Sequence, residues 1–105
     1  MNTDADWYLP TELNHLVEFL KALAGETRLR VLALFLRGGE LSVNDVARHA
    51  GIGQSTASES LGALKRTGIL RSRREGKQVF YRADRAQALE LVEELRRYLA
   101  TCCVD

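Results

Sequence analysis

At 105 residues, 46% of them hydrophobic and 28% charged, the chain has room for one globular domain and lacks the composition of a disordered segment. Its longest apolar run, Val31 to Leu36, is six residues, far short of the roughly 20 that a membrane-spanning helix needs. The acidic stretch Met1–Asp6 has no apolar export core, so it does not read as a secretory signal. The net charge of +1 conceals an asymmetry: Lys65 to Arg85 holds eight basic and two acidic residues, a window of +6 that leaves −5 elsewhere. Such a division suggests a nucleic-acid-facing patch on an acidic body, with an ordinary solvated surface as the alternative.

Thr11, just after Pro10, is placed to cap a first helix in which Leu13, Leu16, Val17, Leu20 and Leu23 recur at helical spacing. Gly25 interrupts the pattern. A second helix is expected from about Thr27, with Leu29, Val31, Leu32, Leu34, Phe35 and Leu36 apolar on more than one side. That predicts a helix at the centre of the core, stopped by Gly38-Gly39. Glu40-Leu41 reads as a short strand edge. Ser42 then caps a short third helix through His49, with Val43, Val46 and Ala47 inward.

Gly51-Ile52-Gly53 makes a tight turn into a fourth helix, about Gln54 to Thr67, with Ala57, Leu61 and Leu64 inward. Two short helices joined by a glycine-containing turn form the pattern of a helix-turn-helix. After Gly68 the periodicity changes to alternation. Ile69 to Arg74 and Lys77 to Arg82 read as two strands joined at Glu75-Gly76, with Val79 and Tyr81 on a single packed face. Asp84 starts a fifth helix whose stripe is Ala88, Leu89, Val92, Leu95, Leu99 and Cys102.

The expected architecture is therefore mainly α with a β-hairpin wing, a winged helix-turn-helix in one domain spanning residues 1–105. Its parts are dimerisation helices at about 11–24 and 84–101, a helix-turn-helix at about 42–67 and a wing at about 69–83.

A helix-turn-helix sets its second helix in the major groove, where N-terminal side chains reach base edges. Here Gln54, Ser55, Thr56, Ser58 and Glu59 lie off the apolar face, and all can donate to or accept from bases or phosphates. Ser42, opening the third helix, joins this set. The bland alternative is a solvated polar helix. In the wing, Arg71, Arg73, Arg74 and Lys77, with Gln78, suit phosphates or an adjacent minor groove. Lys65 and Arg66 either extend the patch or answer the helix dipole. A winged helix that bound only protein would have no need of these cations.

The stripes of the first and last helices are wider than a thin core needs. Leu13, Leu16, Leu20, Leu89, Val92, Leu95 and Leu99 are expected to meet the same helices of a second copy. Such a dimer sets two reading helices about one DNA turn apart, on an inverted repeat. The alternative is that both helices close the monomer's own core. The only two cysteines, Cys102 and Cys103, are adjacent and build no disulfide framework, which points to a reducing cytoplasm. These terminal thiols, with His15 and His49 far from them in sequence, make no enzyme pattern.

Three blocks, Phe19–Arg30, Gly39-Glu-Leu-Ser-Val-Asn-Asp-Val-Ala47 and Arg74-Glu-Gly-Lys-Gln-Val-Phe-Tyr-Arg82, closely resemble the ArsR/SmtB family of bacterial repressors, in that order and over about residues 16 to 100. The resemblance implies a winged-helix homodimer joined through its first and last helices. It also implies operator binding that is released by a metal, a metalloid or a thiol oxidant.

The chain departs from the family at its effector sites. Where many metal sensors carry two cysteines at the start of the third helix, it has Ser42 and Asn44. Where others begin the last helix with Asp-x-His, it has Asp84-Arg85-Ala86, and Glu59 stands where a histidine is frequent. Cys102 and Cys103 remain, and three readings of them stand. They bind arsenite or another thiophilic ion with a third ligand from elsewhere, His15 being a candidate. They act as a redox switch through a disulfide between subunits or a persulfide, Ala33 occupying the place of the family's usual partner cysteine. Or they are inert.

Overall fold

The computed structural model describes residues 12–102, so the expected cap at Thr11 and the thiols of Cys102 and Cys103 lie outside what is described. Five helices and three strands follow in the predicted order: α1 (Glu12–Leu23), α2 (Glu26–Ala33), β1 (Leu41–Ser42), α3 (Val43–Ala50), α4 (Gln54–Arg66), β2 (Leu70–Glu75), β3 (Gln78–Ala83) and α5 (Arg85–Cys102). The strands form one antiparallel sheet in the order β1-β3-β2.

The core is organised around α4. Ala57, Leu61 and Leu64 fall on one helical line and are wholly excluded from solvent. Around them pack Phe19 and Ala22 of α1, Val31 of α2, Phe35, Val46 of α3, Ile69 and Leu70 at the root of the wing, and Leu91 of α5. Each large side chain buried in this way contributes about 1.5–3 kcal/mol of apolar transfer.

The expectation of a central second helix is not met. α2 ends at Ala33, and the chain continues to Arg37 in tight turns, with Leu34 and Phe35 donating to the carbonyls of Val31 and Leu32 at 3.1 and 3.0 Å. Only Val31 and Phe35 are buried there, whereas Leu29 is half exposed and Leu36 is 82% exposed. The physical reason is that α2 packs on α4, α1 and α3 with one side, and among the described residues no element covers its outer side.

Local chemistry fixes the joints. Arg28 of α2 donates to the carbonyls of Ala22 and Lys21, both at 2.9 Å, so α2 closes the C-terminal end of α1. Gly51 ends α3 in the left-handed conformation, φ 68°, which turns the chain towards α4. Gly68 is also left-handed, φ 87°, and an added Cβ there would come within 2.9 Å of Gln87 Cγ. Asp84 caps α5 by accepting from the Gln87 N–H at 3.0 Å.

The hairpin turns one residue later than expected. Glu75 pairs with Gln78, so Gly76 and Lys77 form the turn, Gly76 taking φ 63°. Nor is the packing of β3 confined to one face. Tyr81 lies against the core, while Phe80 on the opposite face is covered by the Arg73 guanidinium, 4.9 Å from the ring centroid.

Candidate nucleic-acid interface

α3 begins with a capping box. The Ser42 hydroxyl accepts from the Asp45 N–H at 3.1 Å, and the Asp45 carboxylate accepts from the Ser42 N–H at 3.0 Å. That backbone bond is the main reason the Asp45 carboxyl is held below its usual range. Ser42 is therefore the cap that the sequence predicted, and although largely buried it also borders the cleft between α4 and the wing. Its pairing with Phe80 places it in the seam between β1 and β3.

Of the polar residues read on α4, Gln54, Ser55, Thr56, Ser58 and Glu59 are all exposed, while Ala57, Ser60, Leu61, Ala63 and Leu64 turn inward. Asn44 of α3, which the sequence reading left out of the interface, is joined to this face. The Gln54 side-chain amide donates to its carbonyl oxygen at 2.7 Å. An open cleft runs between this face and the wing, lined by Ser42, Val43, Asn44, Gln54, Ser55 and Ser58 on one side and Lys77, Gln78 and Val79 on the other. The helix that would read bases and the tip of the hairpin thus border the same opening.

The basic residues of the wing fall into two groups. Arg71 pairs with Asp84 at 2.8 Å, and Arg73 is held by Glu40 and Glu75, both at 2.8 Å. The hydrogen bond from Arg73 keeps the Glu40 carboxyl below its usual range, and the two carboxylates raise the guanidinium further. Arg73, expected among the DNA contacts, is thus engaged by two carboxylates while its side chain stays half exposed. Arg74 and Lys77 at the tip, and Lys65 and Arg66 at the end of α4, are exposed and make no ion pair among the described residues.

Of the residues expected at a subunit interface, Leu20, Leu89, Val92 and Leu99 are 45%, 60%, 50% and 48% exposed in the single chain. Leu13 and Leu95 are partly covered, and Leu16 is buried because α1 packs on α4 and α5. Leu16 thus serves the chain's own core. Val17 and Tyr98, 43% and 40% exposed, widen the apolar surface of the same two helices. Cys102 is the last residue of α5, and His15 lies exposed on α1. Among the described residues no three potential ligands are grouped to hold a metal ion, and no helix is long and apolar enough to cross a membrane.

A helix-turn-helix with an exposed polar reading face, joined through a short third strand to a cationic hairpin, defines a winged helix DNA-binding regulator. Comparison with known proteins places it more narrowly. The sequence profile of the family described as "Bacterial regulatory protein, arsR family" matches residues 25–72. The chain is 39% identical over 88 residues to the biofilm growth-associated repressor of Xylella fastidiosa, covering 84% of this chain and 76% of that protein. It is 36% identical over 81 residues to the transcriptional activator HlyU of Vibrio cholerae, covering 77% and 74% respectively. A solution structure of a homodimeric winged helix-turn-helix DNA-binding domain from Mycobacterium bovis superposes with a TM-score of 0.67 at 28% identity, over 100% of this chain and 94% of that one. The chain belongs to the ArsR family of bacterial regulatory proteins.

Proposed function

We propose that the protein is a cytoplasmic repressor that binds an inverted-repeat operator as a homodimer. The observation that carries this reading is the shared cleft: Gln54, Ser55 and Ser58 on the exposed face of α4 and Lys77 at the wing tip border one opening. Gln54, Ser55, Thr56, Ser58 and Glu59 read base edges in the major groove. Arg74 and Lys77 meet phosphates, Lys65 and Arg66 at the end of α4 extend the patch, and together they supply affinity that falls with salt. Dimerisation is supported by the exposed Leu20, Leu89 and Val92 on α1 and α5, and by the homodimeric state of the M. bovis domain.

Repression rather than activation follows the Xylella relative, which is a biofilm growth-associated repressor. An effector acting at Cys102 and Cys103, either a thiophilic ion such as arsenite or a thiol oxidant, releases the operator. Two thiolates suit a soft ion, and a subunit-to-subunit disulfide suits two copies of one tail.

Fluorescence anisotropy of the reduced protein on DNA from upstream of its own gene tests this, repeated with arsenite, zinc and a mild oxidant. Two chains per operator, and release by arsenite or oxidant that disappears in a Cys102→Ser, Cys103→Ser variant, are expected. Tight binding indifferent to every addition would leave an operator-binding repressor and remove the cysteines from its regulation. Affinity independent of salt and of DNA sequence would remove the operator.

A further inference from the structure

The amide–amide contact between the two helices of the reading motif has a chemical direction. Gln54 is the first residue of α4 and Asn44 the second of α3. Gln54 Nε2 donates to Asn44 Oδ1 at 2.7 Å, ten residues away in sequence, and both side chains are exposed on the wall of the cleft. A glutamine amide carries two N–H donors and one carbonyl acceptor. With one N–H given to Asn44, the other N–H and the carbonyl oxygen remain for the cleft. That remaining edge is complementary to adenine in the major groove, where N7 accepts and the N6 amino group donates. Guanine offers two acceptors there, N7 and O6, and would leave the glutamine carbonyl facing another oxygen.

We infer that Asn44 is a positioning residue that fixes Gln54 for bidentate reading of an adenine, one A·T pair in each half of the operator. The inference rests on the operator-binding reading and adds to it a residue and a base. A free glutamine side chain has three rotatable bonds and turns either edge of its amide outward. Holding one N–H against a fixed acceptor selects the orientation before DNA arrives, so less freedom is lost on binding. Asn44 itself touches no base in this arrangement. Its oxygen acts through Gln54.

The experiment is selection of binding sites from a duplex library by the full chain, followed by anisotropy on duplexes differing at single positions. The variants are Gln54→Ala, Asn44→Ala, the double substitution and Asn44→Asp. The expected result is an adenine preference of about tenfold to a hundredfold at one position per half-site in the parent. Gln54→Ala and Asn44→Ala lose it at that same position, and the double variant loses no more than either single one. Asn44→Asp keeps an acceptor oxygen for Gln54, so it retains the adenine preference while its added negative charge weakens binding to every duplex. A merely structural role for Asn44 would move all positions together and would not be rescued by aspartate.

An unchanged selected sequence in Asn44→Ala, or a parent that prefers another base where Gln54 acts, overturns the inference and leaves the operator-binding reading intact. A parent chain that selects no sequence at all overturns both.

Discussion

Arg73 of the wing grips Glu40 with its Nε 2.9 and 2.8 Å from the two carboxylate oxygens, across a separation of 33 residues in sequence. The same guanidinium lies over the Phe80 ring and reaches Glu75. Three anchors on one side chain make Arg73 a brace between the hairpin and the segment that leads into α3.

A brace and a phosphate contact respond oppositely when Glu40 is neutralised. Were Arg73 a DNA contact held back by Glu40, Glu40→Gln would free it, and affinity for all duplexes would rise with a steeper salt dependence. As a brace it loses an anchor, so Glu40→Gln is expected to lower the ratio of operator to random-duplex affinity severalfold. Anisotropy titrations of both duplexes over a range of salt concentrations distinguish the two signs.

The tip cations act otherwise. Arg74→Ala and Lys77→Ala should each weaken binding to operator and random duplex alike, and each should reduce the slope of log affinity against log salt by about 1. Slopes unchanged in both variants would exclude the tip from the interface.

Ser42 is expected to matter for stability before it matters for DNA. Ser42→Ala removes the hydroxyl that caps α3 and should lower unfolding free energy by about 1 kcal/mol in urea titration. Equal stability in parent and variant would show that the capping box contributes nothing.

Acid should act on the same joints. Hydrogen bonds hold four carboxyls below their usual values: Asp45 below 3.8 through the Ser42 N–H, Asp84 below 3.8 through the Gln87 N–H, Glu40 below 4.5 through Arg73, and Glu93 of α5 below 4.5 through Arg96. At low pH the unfolded chain therefore binds these protons more readily than the folded one. Their stabilisation is present above the usual values and is lost as pH falls through the depressed ones. A melting temperature that is level from pH 8 to about 5 and drops below about 4 is expected, with the drop reduced in Asp45→Asn. A melting temperature that rose on acidification would contradict the assignment.

For the subunit interface the informative positions are those that the single chain leaves open. Leu89→Glu, at a site 60% exposed, should yield a folded monomer by sedimentation with operator affinity reduced at least tenfold, since half of a two-fold contact is lost. A dimer that persists would move the interface off α5. Leu95, partly covered by its own chain, is a poorer probe because its substitution mixes folding with assembly.

The reading motif and the wing were legible because they depend on short-range chemistry. The Ala57-Leu61-Leu64 spacing, Ser42 before α3, Asp84 before α5 and glycine at Gly51 each act within a few residues. The fate of Arg73 was not legible, because its charge is answered by Glu40 from beyond the helix-turn-helix. Composition also misled at α2. Leu29 and, just past the helix, Leu36 read as core, yet burial depends on which side of the segment finds a neighbour, and α1, α3 and α4 all lie on the other. Asn44 could have been found as a polar side chain at the start of α3, but only the fold brings it to Gln54.

The strand β1 is two residues long, yet it pairs Leu41 with Tyr81 and Ser42 with Phe80, the latter on the very residue that caps α3. The reading motif and the returning strand of the hairpin are thereby hinged on a common rail and cannot slide past one another without breaking sheet bonds. On the proposed reading the protein would meet the double helix as a calliper with a set gap, its points at Gly76 and Lys77 beyond the last paired residues. Which phosphates those points would reach from a given base step is then a dimension of the fold.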